Sequence, residues 1–534
     1  MITPDTVFGA FSESAARWPE RPFLNVLPET AEIYGIEAGE ISYADALSRV
    51  QSYSAQIEAA GYLKGQRVML LLENRPDYFI WWLASNALGI SVVPINPDLR
   101  AAELAYMIGH AEPVLAIAIE GRCDELRAAA LLAGRSVPVI ELGGALPIAL
   151  THTCIAAKDD DPEAALLYTS GTTGNPKGCI LTNEYFIQAG RWYSTATGIC
   201  ALDTTGERMI TPLPIFHMNA MAFSFMAMVA VGGCLTALDR FHPRTWWASV
   251  RASNATCLHY LGVMPSMLMG AEPRTDDTDH TVRFGFGAGI DPKLHASFEA
   301  RFGFPVIEAW AMTETGAGGT ICANREPRVI GKSAIGSPDE AVEARLVDDA
   351  GKDGDQGELL VRAAGPDPRK GFFAGYFKND AATAEAWEGG WFHTGDIVRR
   401  EADGTMYFVD RKKNVIRRSG ENIAAVEVES ALAKHPAIAG VAVAAVPDAM
   451  RGEEVFACIM PKQSATPELA HQITEWCLTQ LAYYKAPGYV AFVDSLPVTA
   501  TQKLQRATLK TLAQDLLKDP GTIDTRHLKK RTAA

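Results

Sequence analysis

One loop of the chain combines hydroxyl groups, glycines and a cation in a pattern suited to binding phosphate. Residues 166–183 read LLYTSGTTGNPKGCILTN, and apolar runs at 164–168 and 179–181 predict two buried strands that flank the loop. Glycines let the backbone approach a ligand with its N–H groups turned inward, hydroxyl groups add donors, and Lys177 adds positive charge. We therefore expect a polyphosphate to bind here. The predicted binding residues are Thr169, Ser170, Gly171, Thr172, Thr173, Gly174 and Lys177.

This loop differs from a Walker A loop. A Walker A motif ends in Gly-Lys followed by Ser or Thr, whereas here Pro176 precedes Lys177 and Gly178 follows it. The alternative is a surface hairpin loop rich in small polar residues. A hairpin loop of about ten residues between two buried strands is uncommon, which favours the binding interpretation.

Further segments place polar, aromatic or small residues together along the chain. Each segment alone has a structural explanation: a single histidine is usually a core residue, Thr and Glu often cap helices, and a charged run is usually a solvated face. The segments are 212–220 (PLPIFHMNA, with His217), 285–290 (GFGAGI, with Gly287, Ala288 and Gly289), 308–316 (EAWAMTETG, with Glu308, Ala309, Trp310, Thr313 and Glu314), 391–396 (WFHTGD, with Asp396), 410–423 (DRKKNVIRRSGENI, with Arg411, Lys413 and Gly420) and 496–506 (LPVTATQKLQR, with Lys503).

Taken together, these segments resemble one known group of enzymes. The sequence YTSGTTGNPKG resembles the phosphate loop of the adenylate-forming superfamily, which includes acyl-CoA synthetases, the adenylation domains of peptide synthetases and firefly-type luciferases. The other segments follow in the order of that superfamily, from residue 168 to residue 503. Within it, residues 408–429 and the His217 segment resemble the carnitine/crotonobetaine–CoA ligases.

The resemblance implies roles around the nucleotide. The His217 segment would lie at the mouth of the acyl pocket, where its aromatic or His residue gates the carboxylate. The small-residue turn at 287–289 would lie against adenine and the acyl chain, and Glu308 and Ala309 would also contact the nucleotide. Trp310 would stack on adenine, with Trp for the usual Tyr preserving the stacking surface. Thr313 would contact the α-phosphate, and Glu314 with Thr169 would bind Mg²⁺.

The same resemblance assigns the C-terminal third of the chain. Asp396, expected at the end of a strand, would accept the ribose hydroxyls, and Arg411 would also contact the ribose. Lys413 would be the hinge of a mobile domain, and Gly420 would lie on the loop that meets the pantetheine of CoA. Lys503 would be the catalytic lysine that bridges the carboxylate and the α-phosphate. The chain departs from the common pattern at Ala311, Ala425, Val498 and Gln502.

A reaction follows from this resemblance: an ATP-dependent carboxylic acid–CoA ligase. The carboxylate would displace pyrophosphate from ATP, and the thiol of CoA would then displace AMP from the acyl-adenylate. Its ligands would be ATP, Mg²⁺, coenzyme A and a small carboxylic acid. The alternatives are an enzyme that loads a carrier protein, a luciferase-type oxidation, and a non-catalytic acid or nucleotide sensor. The acid is left open; an aromatic cage for a quaternary ammonium group would draw on Trp192, Phe216 and Phe223.

The elements that must position these residues follow from the apolar pattern. Unalternating apolar runs at 67–72, 90–95, 114–119 and 137–142 predict buried strands, and the intervening helices predict parallel sheets. Residues 331–409 show short alternating strands, typical of an antiparallel or barrel-like subdomain. An α+β pattern follows. We therefore predict an α/β protein with a large N-terminal domain of stacked βα sheets plus a barrel-like subdomain (1–410) and a smaller mobile α+β C-terminal domain (411–534).

Composition limits the class of protein. The net charge of −14 argues against nucleic acid as a partner. Nine cysteines without a CxxC pair predict reduced thiols and a cytoplasmic protein. The uncharged stretch 220–238 is interrupted by two glycines, so we expect a buried helix at about 219–231 and then a strand rather than an integral membrane segment. A homodimer is possible.

Overall fold

The computed structural model describes residues 5–150, 162–169, 175–348, 350–411, 415–497 and 504–531. The first part of the chain alternates helices and strands, as predicted. Its elements are α1 Val7–Arg17, β1 Pro22–Val26, α2 Pro28–Tyr34, β2 Gly39–Ser42, α3 Tyr43–Ala59, β3 Arg67–Leu71, α4 Pro76–Ala87, β4 Ser91–Pro94, α5 Ala101–Ala111, β5 Leu115–Ala118, α6 Cys123–Leu132 and β6 Val139–Glu141.

The alternation continues through the middle of the chain and contains a π-helix, Asn219–Ser224, that runs directly into α8. The elements are β7 Glu163–Thr169, β8 Lys177–Thr182, α7 Asn183–Thr195, β9 Arg208–Thr211, α8 Phe225–Val231, β10 Cys234–Ala237, α9 Trp246–Ala252, β11 Cys257–Leu261, α10 Val263–Met269, β12 Phe284–Ala288, α11 Pro292–Phe302, β13 Val306–Trp310 and β14 Ile321–Cys322. The buried helix and strand predicted within 219–238 are therefore confirmed. No helix in the described ranges is long and apolar enough to cross a membrane.

Short strands dominate residues 334–411, and an α+β region follows from Val415. The former are β15 Ala334–Gly336, β16 Val342–Val347, β17 Gln356–Ala363, β18 Gly375–Tyr376, β19 Phe392–Arg400 and β20 Met406–Arg411, with α12 Asp380–Ala386. The latter comprises β21 Val415–Arg418, β22 Glu421–Ala424, α13 Ala425–Leu432, β23 Ile438–Asp448, β24 Gly452–Pro461, α14 Pro467–Gln480, β25 Tyr489–Phe492, α15 Arg506–Leu516 and β26 Ile523–Asp524.

Two large sheets carry the predicted parallel strands. One has the order β14-β13-β12-β11-β9-β10-β1-β2, and the other has the order β18-β8-β7-β4-β3-β5-β6. Strands β3 and β4 are buried along their whole length, which explains their unalternating apolar sequences. Antiparallel strands join these sheets only toward their edges.

The predicted antiparallel subdomain is a five-stranded sheet with the order β15-β20-β19-β17-β16. A fourth sheet uses only strands from β21 onward, with the order β22-β21-β24-β25-β26 and with β23 beside β24. The first three sheets thus use strands up to Arg411, and the last uses strands from Val415. The mixed α/β architecture with a smaller C-terminal α+β part agrees with the sequence prediction.

Candidate active site

A cavity of about 240 Å³ lies at the carboxyl ends of β11, β12 and β13. Ligands of open α/β sheets commonly bind at this edge, because the loops that follow the strands converge there. Ten of the predicted site residues line the cavity: Thr169, Lys177, His217, Gly287, Ala288, Ala309, Thr313, Glu314, Asp396 and Gly420.

The phosphate-loop strands form one end of the cavity. Strands β7 and β8 pair as an antiparallel hairpin, with Thr169 opposite Lys177. Each has a further neighbour in the sheet, β4 and β18 respectively, so this is not a surface hairpin. The tip, with Ser170, Gly171, Thr172, Thr173 and Gly174, lies outside the described residues, so the expectations for these residues stay predictions.

Glu314 places a carboxylate beside the base of this loop. The side chain is 7% exposed, and its Oε1 accepts a 2.9 Å hydrogen bond from the Tyr376 hydroxyl. The Thr169 hydroxyl lies 3.5 Å from the same oxygen. Burial, with the charge of Glu314, raises the pKa of Tyr376, so the phenol keeps its proton and remains a donor. The Lys177 ammonium lies 4.7 Å from the centroid of the Tyr376 ring.

Tyr376 is a residue that sequence reasoning missed. It belongs to the short strand β18, which pairs with β8 so that Tyr376 is opposite Cys179. The pairing of two strands almost 200 positions apart brings its hydroxyl to Glu314. The only local signal is the dipeptide Gly375-Tyr376, which by itself indicates nothing about a ligand.

Trp310 and Asp396 form a second polar pair at the cavity. The indole Nε1 donates a 2.8 Å hydrogen bond to Asp396 Oδ2, and both side chains are buried. The Trp310 ring lies behind the lining residues, so its predicted stacking on adenine stays a prediction. The expectation that Asp396 ends a strand is wrong: it lies inside β19, between β17 and β20. The strand continues past Asp396 because β17 and β20 flank it, with a register shift in each pairing, and the Cα partner of Asp396 in β20 is Arg411.

Glu308 fixes the turn that follows β12. Its carboxylate accepts hydrogen bonds from the backbone N–H groups of Gly289 and Ile290, both at 2.9 Å, and from the Tyr260 hydroxyl at 3.0 Å. Burial raises the pKa of Glu308. Gly289 has a φ of +80°, a conformation that favours glycine. Glu308 and Gly289 therefore lie behind the cavity and support Gly287 and Ala288, which line it.

The π-helix contributes to a part of the cavity whose side chains carry no formal charge. Asn219 and Phe223 line it, together with Phe286 of β12. Behind them, His259 Nδ1 lies 2.7 Å from Asn219 Oδ1 and 2.8 Å from the Ser224 hydroxyl. Burial lowers the pKa of His259 to about 3, so this imidazole is neutral at pH 7. A π-turn often marks a functional site, and here it turns Asn219 and Phe223 toward the cavity.

A hairpin from the C-terminal part of the chain closes the mouth of the cavity. Strands β21 and β22 form it, and Val415, Arg417, Gly420 and Asn422 line the cavity. At its turn, Glu421 Oε2 lies 3.4 Å from His217 Nε2. Burial alone would raise the pKa of Glu421, but its interactions with His217 first, and then with Lys485 and Arg531, hold it below its ordinary value. Lys503 and the predicted hinge Lys413 lie outside the described residues.

Comparison with known proteins identifies the group to which the chain belongs. The AMP-binding enzyme family matches residues 11–377, and the AMP-binding enzyme C-terminal domain matches residues 427–503. A sulfoacetate–CoA ligase of Cupriavidus necator is 32% identical over 95% of this chain and 97% of its own length. A crotonobetaine/carnitine–CoA ligase of Salmonella arizonae is 30% identical over 90% of this chain and 96% of its own.

Solved structures agree with the fold. An o-succinylbenzoate CoA synthetase of Bacillus subtilis is 23% identical, with a TM-score of 0.78 over 94% of this chain and 97% of its own. A malonyl-CoA ligase, solved as a product complex with methylmalonyl-CoA and AMP, is 26% identical, with a TM-score of 0.72 over 90% of this chain and 97% of its own. The chain belongs to the AMP-binding enzyme family, within the adenylate-forming acyl-CoA synthetase superfamily that its motifs indicated.

Proposed function

We propose that this chain is an AMP-forming ligase that joins a small carboxylic acid to CoA in two half-reactions at the described cavity. One observation carries the proposal. A single cavity is lined by the base of the phosphate loop (Thr169, Lys177), by Asp396 on the predicted ribose side, and by the hairpin around Gly420. Relatives that match nearly the whole chain are CoA ligases of small acids, which supports the same reaction here.

The chemistry explains why both ATP and CoA are needed. A carboxylate is a poor acyl donor because its leaving group would be oxide, and adenylation replaces that leaving group with AMP. Negative charge builds on the phosphoryl oxygens as pyrophosphate leaves, so Lys177, Thr313 and, by resemblance, Lys503 would act by electrostatic stabilisation and positioning. The thiol of CoA then attacks the acyl carbon, and AMP leaves with the bonding electrons.

The residues around Glu314 fit a magnesium ion bound together with phosphates. Mg²⁺ commonly takes one or two protein carboxylates and completes its shell with phosphate oxygens and water. Glu314 supplies a buried carboxylate and Thr169 a hydroxyl beside it. When bound, the ion would neutralise charge on the phosphates.

The position of the Gly420 hairpin supports an assignment of the described arrangement to the second half-reaction. The superfamily resemblance places this loop against the pantetheine only after adenylation. Rotation about Lys413 of a domain formed by residues 411–534 would then exchange Lys503 for Gly420.

The eight cysteines in the described ranges are all free, in agreement with the proposed cytoplasmic location. The homodimer also stays a proposal.

Isotope exchange between pyrophosphate and ATP, measured with separate acids, tests the first half-reaction. Sulfoacetate, crotonobetaine, malonate and simple fatty acids form a suitable panel. Exchange without thioester formation on adding CoA would favour the carrier-protein alternative, and binding without exchange would favour a sensor. Lys503→Ala should remove most of the exchange and spare thioester formation from a pre-made acyl-adenylate. Equal loss of both half-reactions in a folded variant would contradict the role of Lys503.

A further inference from the structure

A second cavity lies behind the part of the candidate site that Phe223 and Phe286 line. Its volume is about 650 Å³, and α7 forms one side of it through Gln188, Arg191 and Trp192. The opposite side consists of segments that follow β13, including Ala317 and Cys322. Exposed cations at Arg191, Arg325 and Lys370 lie around it. Thr320 lines both cavities, so at this point the partition between them is one residue thick.

Three aromatic rings form the remainder of this partition. Phe223 and Phe286 line the candidate site, whereas Trp192 lines the second cavity. The centroid of the Trp192 ring lies 5.5 Å from that of Phe223, with the two ring planes almost perpendicular at 88°. Its distance from the centroid of the Phe286 ring is 5.9 Å. Phe223 and Phe286 are themselves 6.3 Å apart. All three rings are therefore in mutual contact, and Trp192 supports the other two from behind.

The third residue considered for an aromatic cage lies elsewhere. The Phe216 ring packs against His217 at 4.8 Å and does not line the candidate cavity. The convergence of aromatic rings therefore occurs at the far end of the pocket, around Phe223. The side chains of the pocket end, Asn219, Phe223, Phe286 and Thr320, carry no formal charge.

We propose that Trp192 is a specificity-determining residue that closes the acyl pocket, so that the chain selects short acids and rejects acids long enough to reach the second cavity. This inference rests on the proposed acid–CoA ligase function. A longer chain would have to displace Phe223 or Phe286, and Trp192 occupies the space into which those rings would move. Overpacking of a dense apolar wall is unfavourable, and a hydrophobic pocket discriminates by about ten- to 200-fold for one methylene.

Removal of the Trp192 ring should join the two cavities. In Trp192→Ala, Phe223 and Phe286 lose the group that supports them and can rotate into the vacated volume, while Thr320 already borders both cavities. The extended pocket would accept the apolar tail of a long acid. The reacting carboxylate would be unaffected, because Thr313, Glu314 and Lys177 line the candidate site and do not line the second cavity.

The test compares acetate, butanoate, hexanoate and decanoate in pyrophosphate–ATP exchange. Wild type should show kcat/KM falling steeply with chain length, and Trp192→Ala should raise the ratio of decanoate to butanoate by about tenfold or more. Trp247→Ala is the matched control: Trp247 is also half-buried, stacks on Phe302 at 4.5 Å, and lines neither cavity. It should leave the ratio unchanged.

Two further variants protect the test against a folding defect. Trp192→Leu keeps most of the packing, and Phe223→Ala opens the partition from the other side; both should shift the preference toward decanoate. Wild type that uses decanoate as well as butanoate, or folded Trp192 and Phe223 variants with the wild-type ratio, would overturn the inference. Exchange with none of the acids in any variant, including the acids of the relatives, would instead contradict the proposed function.

Discussion

At the phosphate-loop side of the cavity, the orientation of a motif residue depends on a residue outside the motifs. Glu314 belongs to a recognisable segment, yet its orientation relies on Tyr376, which donates to it at 2.9 Å. A hydrogen bond to a charged acceptor contributes about 1.5–3 kcal/mol. Tyr376 is therefore a positioning residue for the carboxylate proposed to bind Mg²⁺.

We expect Glu314→Ala to lower adenylation and to raise the Mg²⁺ concentration needed for half-maximal rate, because a hard cation needs oxygen ligands near the phosphates. Tyr376→Phe should shift the Mg²⁺ requirement in the same direction by a smaller factor, about tenfold. The measurement is a Mg²⁺ titration of pyrophosphate–ATP exchange. Tyr407→Phe, whose hydroxyl lies 3.3 Å from Glu401 in the antiparallel sheet, is the control. An unchanged titration in Glu314→Ala would remove Glu314 from the metal site.

Substitution of Trp310 can separate two roles of its side chain: stacking of the ring on adenine, and hydrogen-bond donation by the indole N–H. The resemblance predicts stacking on adenine, whereas the structure shows the indole N–H donating to buried Asp396. Trp310→Phe keeps an aromatic ring and removes the donor, leaving the carboxylate with one hydrogen bond fewer. We expect the KM for ATP to rise about tenfold, with kcat less affected. A wild-type KM for ATP in Trp310→Phe would show that the ring alone matters.

At the scale of elements, the sequence was informative wherever the signal was local. The apolar runs at 67–72 and 90–95 correspond to β3 and β4, because a strand buried on both faces needs no alternation. The π-helix at Asn219 has no local signature that separates it from the α-helix it continues. The misplaced end of β19 at Asp396 has a related cause: the strand continues because β17 and β20 flank it, and those partners are distant in sequence.

The hairpin β21–β22 has a turn whose conformation at position 420 favours glycine. Gly420 has a φ of +90°, and an added Cβ would lie 2.3 Å from Leu261 Cδ1, across the mouth of the cavity. Gly420→Ala should therefore displace the Leu261 side chain or the turn itself, both of which line the cavity, since a side chain at this φ is also strained. We expect thioester formation from a pre-made acyl-adenylate to fall at least tenfold, while pyrophosphate–ATP exchange is retained.

A second glycine of the same region provides the control for Gly420→Ala. Gly452 has a φ of +81°, but the nearest atom to an added Cβ is the Arg417 carbonyl oxygen at 3.6 Å. Gly452→Ala therefore introduces similar backbone strain without the collision. If both variants lower the two half-reactions equally, strain in the C-terminal sheet explains the loss, and the Gly420 turn has no separate role at the cavity.

For the whole molecule, buried and partly buried ion pairs join the early part of the chain to the C-terminal part. Lys485 is buried and donates at 2.6 Å to Glu103 of α5 and at 2.7 Å to Glu427 of α13. Burial alone would lower the pKa of Lys485, but the two carboxylates hold it above its ordinary value, so the charge persists. Arg531 pairs with Asp98 at 2.8 Å beside this cluster.

These contacts could not be read from the sequence, because Glu103 and Lys485 are 382 positions apart. Each residue has an ordinary local explanation: Glu103 is in the first turn of α5, and its carboxylate accepts from the Arg100 backbone N–H at 3.0 Å. The motifs specify the chemistry of the cavity, whereas the buried ion pair between Glu103 and Lys485 is visible only in the three-dimensional arrangement.

Glu103→Gln tests whether this ion pair holds the hairpin in place. Glutamine can still accept the capping hydrogen bond of α5, and Lys485 keeps Glu427, so the fold should persist while the attraction across the contact weakens. Because the contact belongs to the arrangement assigned to the second half-reaction, we expect thioester formation from a pre-made acyl-adenylate to fall about tenfold and pyrophosphate–ATP exchange to stay near wild type. Glu112→Gln, just beyond the other end of α5 and in a partly exposed ion pair with Lys378, is the matched charge control. Two results would contradict this selection: an equal loss of both half-reactions in Glu103→Gln, or a selective loss of thioester formation in Glu112→Gln as well. Either result would show that the Glu103–Lys485 pair stabilises the fold without selecting between the two arrangements.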